Sequence, residues 1–120
     1  QVTLYINKTT LEELLRLLDG ARLLVAHDSG PIHLMEMVGG VCVSLFGPTL
    51  ASEKICPSLR HSALQSSVVL PCMPCYNGKN YAECADSFCM KQIQPEAVFI
   101  AVQKHLSGNF SYAKNTGEEA

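Results

Sequence analysis

A chain of 120 residues with 48% hydrophobic and 17% charged residues has the make-up of one globular domain, long enough to bury a core but short for a two-domain enzyme. Its formal net charge of −2 leaves no electrostatic footprint for nucleic acid, and no apolar run approaches the roughly 18 residues that a membrane span requires. No secretory leader opens the sequence, Gln1 stands where an initiator Met would, and the six cysteines are too sparse for a small disulfide scaffold, so a cytosolic piece of a longer protein is expected.

In chain order, the run Val2-Thr3-Leu4-Tyr5-Ile6 reads as a strand. Thr10 with Glu13, or equally Thr9 with Glu12, has the spacing of a capping box. Leu11, Leu14, Leu15 and Leu18 then share one helical face, widened by Leu17, and Gly20 closes the helix. Leu23-Leu24-Val25-Ala26 has the composition of a strand buried on both faces. A second helix starts at Pro31, runs to Val38 and stops at Gly39-Gly40. The strand Val41-Cys42-Val43-Ser44-Leu45-Phe46 follows and ends in Gly47-Pro48-Thr49. Two crossovers of this length predict a parallel sheet with right-handed connections.

Beyond Leu50 the pattern weakens into a loop reaching Ser66, with a short helical piece around Ala51 to Ile55. Ser67-Val68-Val69-Leu70 reads as a further short strand. Pro95 opens a last helix with Val98, Val102 and Leu106 in register and His105 near its negative end. The domain is expected to span residues 1–108, and the polar tail 109–120 to be disordered.

Three loops, at residues 7–9, 27–30 and 47–49, follow the carboxyl ends of the first three predicted strands. In an open parallel sheet that edge is where ligands bind. In the strand-to-helix turn Ala26-His27-Asp28-Ser29-Gly30-Pro31-Ile32-His33, Gly30 lets backbone approach a ligand, and Asp28 or Ser29 can cap the helix. The free N–H groups and positive dipole end would suit an anion such as phosphate. Many such turns bind nothing, and a lone helical histidine is more often packed or on the surface. His33 within the first helical turn, together with the second small-residue turn at Gly47, Pro48 and Thr49, favours a site.

The spacing Cys72-x2-Cys75-x8-Cys84-x4-Cys89 has the pair-and-pair form of a tetrahedral thiolate site, its second half looser than usual. Three readings stay open: a structural zinc, two disulfides, or free thiols. Some form of stapling is favoured because the loop is long and poor in apolar residues. Cys42, inside a strand pattern, is expected to be an inert core thiol.

The segment TTLEELLRLLDGARLLVAHDSGPIHLMEMVGGVCVSLFGPT and the later PCMPCY…C…CM run resemble the C-terminal half of glycosyltransferase family 9, the lipopolysaccharide heptosyltransferases and their relatives. The resemblance runs from Lys8 to Met90 and into the helix after Pro95. It implies an α/β fold, a Rossmann-like parallel sheet with helices on both faces, forming the C-terminal half of a GT-B glycosyltransferase. That half holds a nucleotide-sugar donor, usually ADP-heptose, facing an N-terminal domain that holds the acceptor and the general base.

By the same resemblance Ser29 and Gly30 would bind the diphosphate, with His33 near it and Asp28 on sugar hydroxyls or on the turn itself. Lys8 and Thr9 would line the adenine pocket, and Gly47, Pro48 and Thr49 would close the donor site. No catalytic residue is expected here, so the isolated chain should bind ADP or an ADP-sugar weakly and transfer nothing. No cofactor is required, apart from a structural zinc if the cysteines hold one. The expected partners are the donor, the parent's N-terminal acceptor domain and a glycolipid or glycan acceptor. The expected location is cytoplasmic, at the inner-membrane periphery in the full-length parent. Two alternatives remain: half of a nucleotide-sugar epimerase of the UDP-GlcNAc type, and a non-enzymatic metal-stapled binding module.

Overall fold

The computed structural model describes residues 1–56, 58–66, 72, 75, 79–80, 83–84 and 86–107. Its elements are α1 (Leu11–Gly20), β1 (Leu24–His27), α2 (Gly30–Met37), β2 (Cys42–Phe46), α3 (Ala51–Lys54), β3 (His61–Gln65), α4 (Phe88–Lys91) and α5 (Pro95–Leu106). The strands form one three-stranded parallel sheet in the order β1-β2-β3. Leu24 stands opposite Cys42, and Cys42 opposite His61. All three strands therefore end at one edge, which is what positions the site.

α1 begins where the Thr10 hydroxyl oxygen accepts the Glu13 N–H at 3.2 Å and the hydroxyl donates to the Glu13 carboxylate at 3.1 Å. Of the two capping-box spacings, the one starting at Thr10 is used, with Glu12 and Glu13 beside the positive helix end. Leu18 is buried and Leu14 and Leu15 are half-buried, whereas Leu11 and Leu17 face solvent, so the inward stripe is narrower than expected. Gly20 is the last helical residue, and the chain leaves through extended Ala21, whose N–H donates to the Leu18 carbonyl.

α2 ends in a Schellman turn. Gly39, at φ 68°, donates to the Glu36 carbonyl, and Gly40 donates to the Met35 carbonyl. The α1 and α2 side of the sheet holds a core of Leu18, Ile32, Met35 and Cys42, flanked by Leu24 and Ala26. α5 packs on β2 and β3 from the other side, with Ser62 Oγ and His105 Nε2 at 2.7 Å. Helices thus lie on both faces of the sheet. Cys42 is buried, and burial, with Glu36 adding to it, pushes its thiol up to about 12, as an inert core thiol requires.

Several expectations are corrected. Residues 2–6 form no strand, and Val2, Leu4 and Ile6 are exposed. An apolar run becomes a strand only where a neighbour completes its ladder; here the chain turns instead, Lys8 N–H donating to the Tyr5 carbonyl around Asn7 at φ 54°. β1 is covered on one face only: Val25 and His27 are exposed, α5 packing chiefly on β2 and β3. Residues 61–65, expected to be loop, form β3, while the strand expected at residues 67–70 lies outside the described residues. β3 holds no β-branched residue; Ser62 Oγ, His61 Nε2 and the Gln65 amide find partners on neighbouring elements, while His61 Nδ1 is buried without a hydrogen bond. In α5, Ala101 and His105 are the buried positions and Leu106 is exposed. The short helix expected near Ala51 is present as α3.

Two outcomes follow. Replacing Gly39 by Ala forces a Cβ into the left-handed region and should cost about 1 kcal/mol, read as a lower urea midpoint at unchanged m-value. His61 and His105 are held below the ordinary imidazole value chiefly by burial. Their contribution is therefore complete above about pH 6.5 and lost as pH falls through that value toward the lowered folded ones. Urea midpoints at pH 7 and pH 5 should differ less in His105→Asn than in the parent chain.

Candidate functional site

At the carboxyl edge of the sheet, side chains tie the ends of the three strands together. The Thr49 hydroxyl donates to Asp28 Oδ2 at 2.5 Å, and Asp28 N–H donates to the Leu45 carbonyl at 3.2 Å. Gln65, the last residue of β3, donates through Nε2 to the Thr49 carbonyl at 2.7 Å and accepts the Ala51 N–H at 3.3 Å. Thr49 is 5% exposed, so its hydroxyl and carbonyl both find partners away from water. The turn after β1 and the turn after β2 are in this way one bonded unit, braced from β3.

The N-terminus of α2 opens beside this unit. Neither of the expected caps is made: the Asp28 carboxylate is turned to Thr49, and the Ser29 hydroxyl donates back to the His27 carbonyl at 3.0 Å. Pro31 has no N–H, and Ile32 N–H donates to the Ser29 carbonyl. The Ser29 and Gly30 amides have no acceptor among the described residues. A Cβ built on Gly30 would meet nothing within 4 Å, so the chain itself does not require glycine there. What remains is a small, uncapped, positive helix end facing open space, able to take an anion on two backbone N–H groups.

The other expected site residues are placed as follows. His33 is half-exposed and turns along the helix, its Nδ1 3.7 Å from Glu36 Oε1. Gly47 and Pro48 lie under the second half of the chain: a Cβ on Gly47 would stand 2.4 Å from Met90 Sδ and 3.3 Å from Cys89 Sγ, and Cys75 N–H donates to the Pro48 carbonyl at 2.9 Å. Lys8 and Thr9 belong to a separate recess of about 320 Å³ with Tyr5, Glu13, Arg16 and Leu17. That recess shares no residue with the Asp28–Thr49–Gln65 unit.

All six cysteines are free thiols, so neither disulfide pair is formed. Burial pushes the Cys75 thiol up, with Cys72, Cys89 and Cys84 adding to the effect. The Asp86 and Ser87 backbone N–H groups hold the Cys84 thiol down, the latter at 3.1 Å from its sulfur. Among the described residues no three His, Cys, Asp or Glu side chains already stand so as to hold a metal ion.

Two groupings escaped the sequence reading. Gln65 is one, because nothing in HSALQ marks it as a brace. The other lies at the opposite, amino edge, where Ser44 Oγ is 2.6 Å from His61 Nε2 and His61 Nδ1 is 3.7 Å from Glu36 Oε1. The order hydroxyl, imidazole, carboxylate is that of a nucleophilic triad. Ser44 is fully buried, however, so no substrate reaches its oxygen. The cavity of about 370 Å³ beside it is lined by Glu36 and His61 but not by Ser44.

Comparison with known proteins adds the following. The family model described as glycosyltransferase family 9 (heptosyltransferase) matches residues 2–86. A Campylobacter jejuni protein of serotype O:6, named lipooligosaccharide heptosyltransferase 2, is 31% identical over 98 residues, 82% of this chain and 30% of that protein. Its namesake from serotype O:2 is 33% identical over 103 residues, 86% of this chain and 31% of that protein. The chain thus spans just under a third of the length of these relatives. No solved structure matches it significantly.

The bonded unit at the carboxyl edge can be tested directly. Thr49→Val removes the hydroxyl but keeps the shape, and should lower stability by about 1–2 kcal/mol by leaving Asp28 Oδ2 unpaired beside a buried methyl. Thr49→Ser should recover most of the loss in the same urea titration.

Proposed function

The chain belongs to glycosyltransferase family 9, the heptosyltransferases, and we propose that it forms the nucleotide-sugar donor side of a lipopolysaccharide heptosyltransferase, the C-terminal half of a GT-B fold, with ADP-heptose as donor. The observation that carries this reading is the open start of α2, where Gly30 faces empty space and no side chain caps the helix.

A diphosphate seated there accepts from the Ser29 and Gly30 amides and lies on the positive helix end. In glycosyl transfer the same diphosphate is the leaving group, and its charge grows as the bond to the sugar breaks. Backbone donors already fixed at that spot stabilise the departing charge without reorganising. Asp28 is held by Thr49 through one oxygen, leaving its other carboxylate oxygen to accept from a sugar hydroxyl. His33 is exposed one turn into the helix, where it adds a donor toward the phosphates once rotated away from Glu36. The recess holding Lys8 and Thr9 is assigned to the adenine, and Gly47, Pro48 and Thr49 to closing the donor site.

Transfer also requires a base to deprotonate the acceptor hydroxyl. We assign that base, and the glycolipid or glycan acceptor, to the part of the parent that this chain does not span. The chain by itself should bind donor and transfer nothing. Among the described residues no helix is long and apolar enough to cross a membrane, and the proposed location is the cytoplasm, at the inner-membrane periphery in the parent.

The test is a titration of the ¹⁵N-labelled chain with ADP and, separately, with UDP. ADP should shift the amides from Asp28 to His33 and from Gly47 to Thr49, and UDP should do so less. Gly30→Val should leave stability within about 0.5 kcal/mol, since a Cβ there has open space within 4 Å, while weakening ADP at least tenfold. Silence at these amides, or an ADP affinity untouched by Gly30→Val, would overturn the reading.

A further inference from the structure

Cys75 and Cys89, fourteen residues apart in sequence, reach the same turn from opposite directions. Cys75 is fixed there through its backbone, its N–H donating to the Pro48 carbonyl at 2.9 Å, and Cys89 through its sulfur, 3.3 Å from where a Gly47 Cβ would stand. Cys72 lies three residues before Cys75, and the Cys84 sulfur accepts the N–H of Ser87, two residues before Cys89. Cys72 and Cys84 therefore flank the two that are fixed at the turn. Two separate disulfides would instead divide them into two pairs.

We propose that Cys72, Cys75, Cys84 and Cys89 bind one divalent zinc-class ion as a four-thiolate site seated on the Gly47–Pro48 turn. The donor set is the one tetrahedral soft-ligand sites use, and the first pair has the two-residue gap usual for them. Cys84 carries the supporting feature such sites share, a backbone N–H, from Ser87, donated to the sulfur at 3.1 Å. Cys89 is 7% exposed and anchors the set to the domain, while Cys72 and Cys84 are exposed and come to it. Since no three of these side chains yet converge on one point, the ion has to draw them in. Each thiol gives up its proton on ligation, so binding is weaker at lower pH and is linked to stability. Cys42 and Cys56 have no part in the site.

The chain should be purified without oxygen and without chelator, then analysed for metal and mass. About one zinc per chain is expected, together with a mass showing all six thiols reduced. Replacing zinc by cobalt(II) should give the near-ultraviolet thiolate-to-metal absorption and the visible bands of a tetrahedral site. Cys84→Ser, at an exposed position, should weaken metal binding at least tenfold while the chain stays folded, and Cys56→Ser should change nothing. Cys89→Ser removes a buried side chain and is uninformative if the domain unfolds, which is why the exposed variant decides. Metal-free protein with the Cys72, Cys75 and Cys84 thiols open to a thiol reagent would overturn the proposal, and so would a mass four hydrogens lower. Metal content and ADP-induced shifts are separate measurements, so either reading can fail without the other.

Discussion

The hydrogen bond from Thr49 to Asp28 is the contact on which the carboxyl edge depends. Parallel strands fix only backbone spacing, and the turns that leave them are free to diverge. Here a buried hydroxyl reaches across from the turn after β2 to the carboxylate of the turn after β1. The same carboxylate is thereby withdrawn from capping α2, the role it would otherwise take at such a position. An uncapped helix end normally costs stability through unpaired N–H groups. Two features lessen that cost: Pro31 removes one donor outright, and Ile32 bonds back to Ser29. The Ser29 and Gly30 amides have no acceptor among the described residues, and both residues are exposed.

The elements read correctly from sequence are those specified by local chemistry. The Thr10–Glu13 pair, the Gly39-Gly40 stop and the apolar strand β2 each carry their own instructions in adjacent residues. The failures are elements specified from a distance. β3 is a strand because β2 lies beside it and because Ser44, His105 and Thr49 supply partners for His61, Ser62 and Gln65, none of which a window along the chain contains. β1 departs in the opposite direction: its composition suits double burial, but α5 packs chiefly on β2 and β3. Of the site, the Asp-Ser-Gly-Pro turn and its neighbour at Gly47 to Thr49 were legible, since small residues at strand ends are a local signal. Their mutual attachment through Thr49 and Gln65 was not, being a matter of register between strands.

The two edges of the sheet use similar residues to opposite ends. At the amino edge Ser44 Oγ and His61 Nε2 stand 2.6 Å apart, and the other ring nitrogen, Nδ1, faces Glu36. Burial keeps that ring neutral, and the 3.7 Å to Glu36 Oε1 is longer than a hydrogen bond. Neither atom touches solvent or makes a hydrogen bond, although both residues line the cavity of about 370 Å³. The result fastens α2 to β2 and β3. At the carboxyl edge the paired groups are instead bound sideways to one another, leaving backbone donors unoccupied. Chemistry belongs where donors are left open, and by that criterion the triad-like order at the amino edge is architecture.

Gly47 joins the two halves of this picture. Its missing side chain is filled by Met90 and Cys89, so α4 sits where any larger residue would expel it. Two positions later, Thr49 holds Asp28. The cysteines thus adjoin, within three consecutive residues, the hydroxyl that holds the carboxylate beside the helix end. Gln65 pins the Thr49 carbonyl and the Ala51 amide to the end of β3 at the same time. The turn is thus clamped from β3 on one side and loaded by Cys75, Cys89 and Met90 on the other. Cys75, Cys89 and Met90 thereby meet the domain at a turn that also shapes the carboxyl edge.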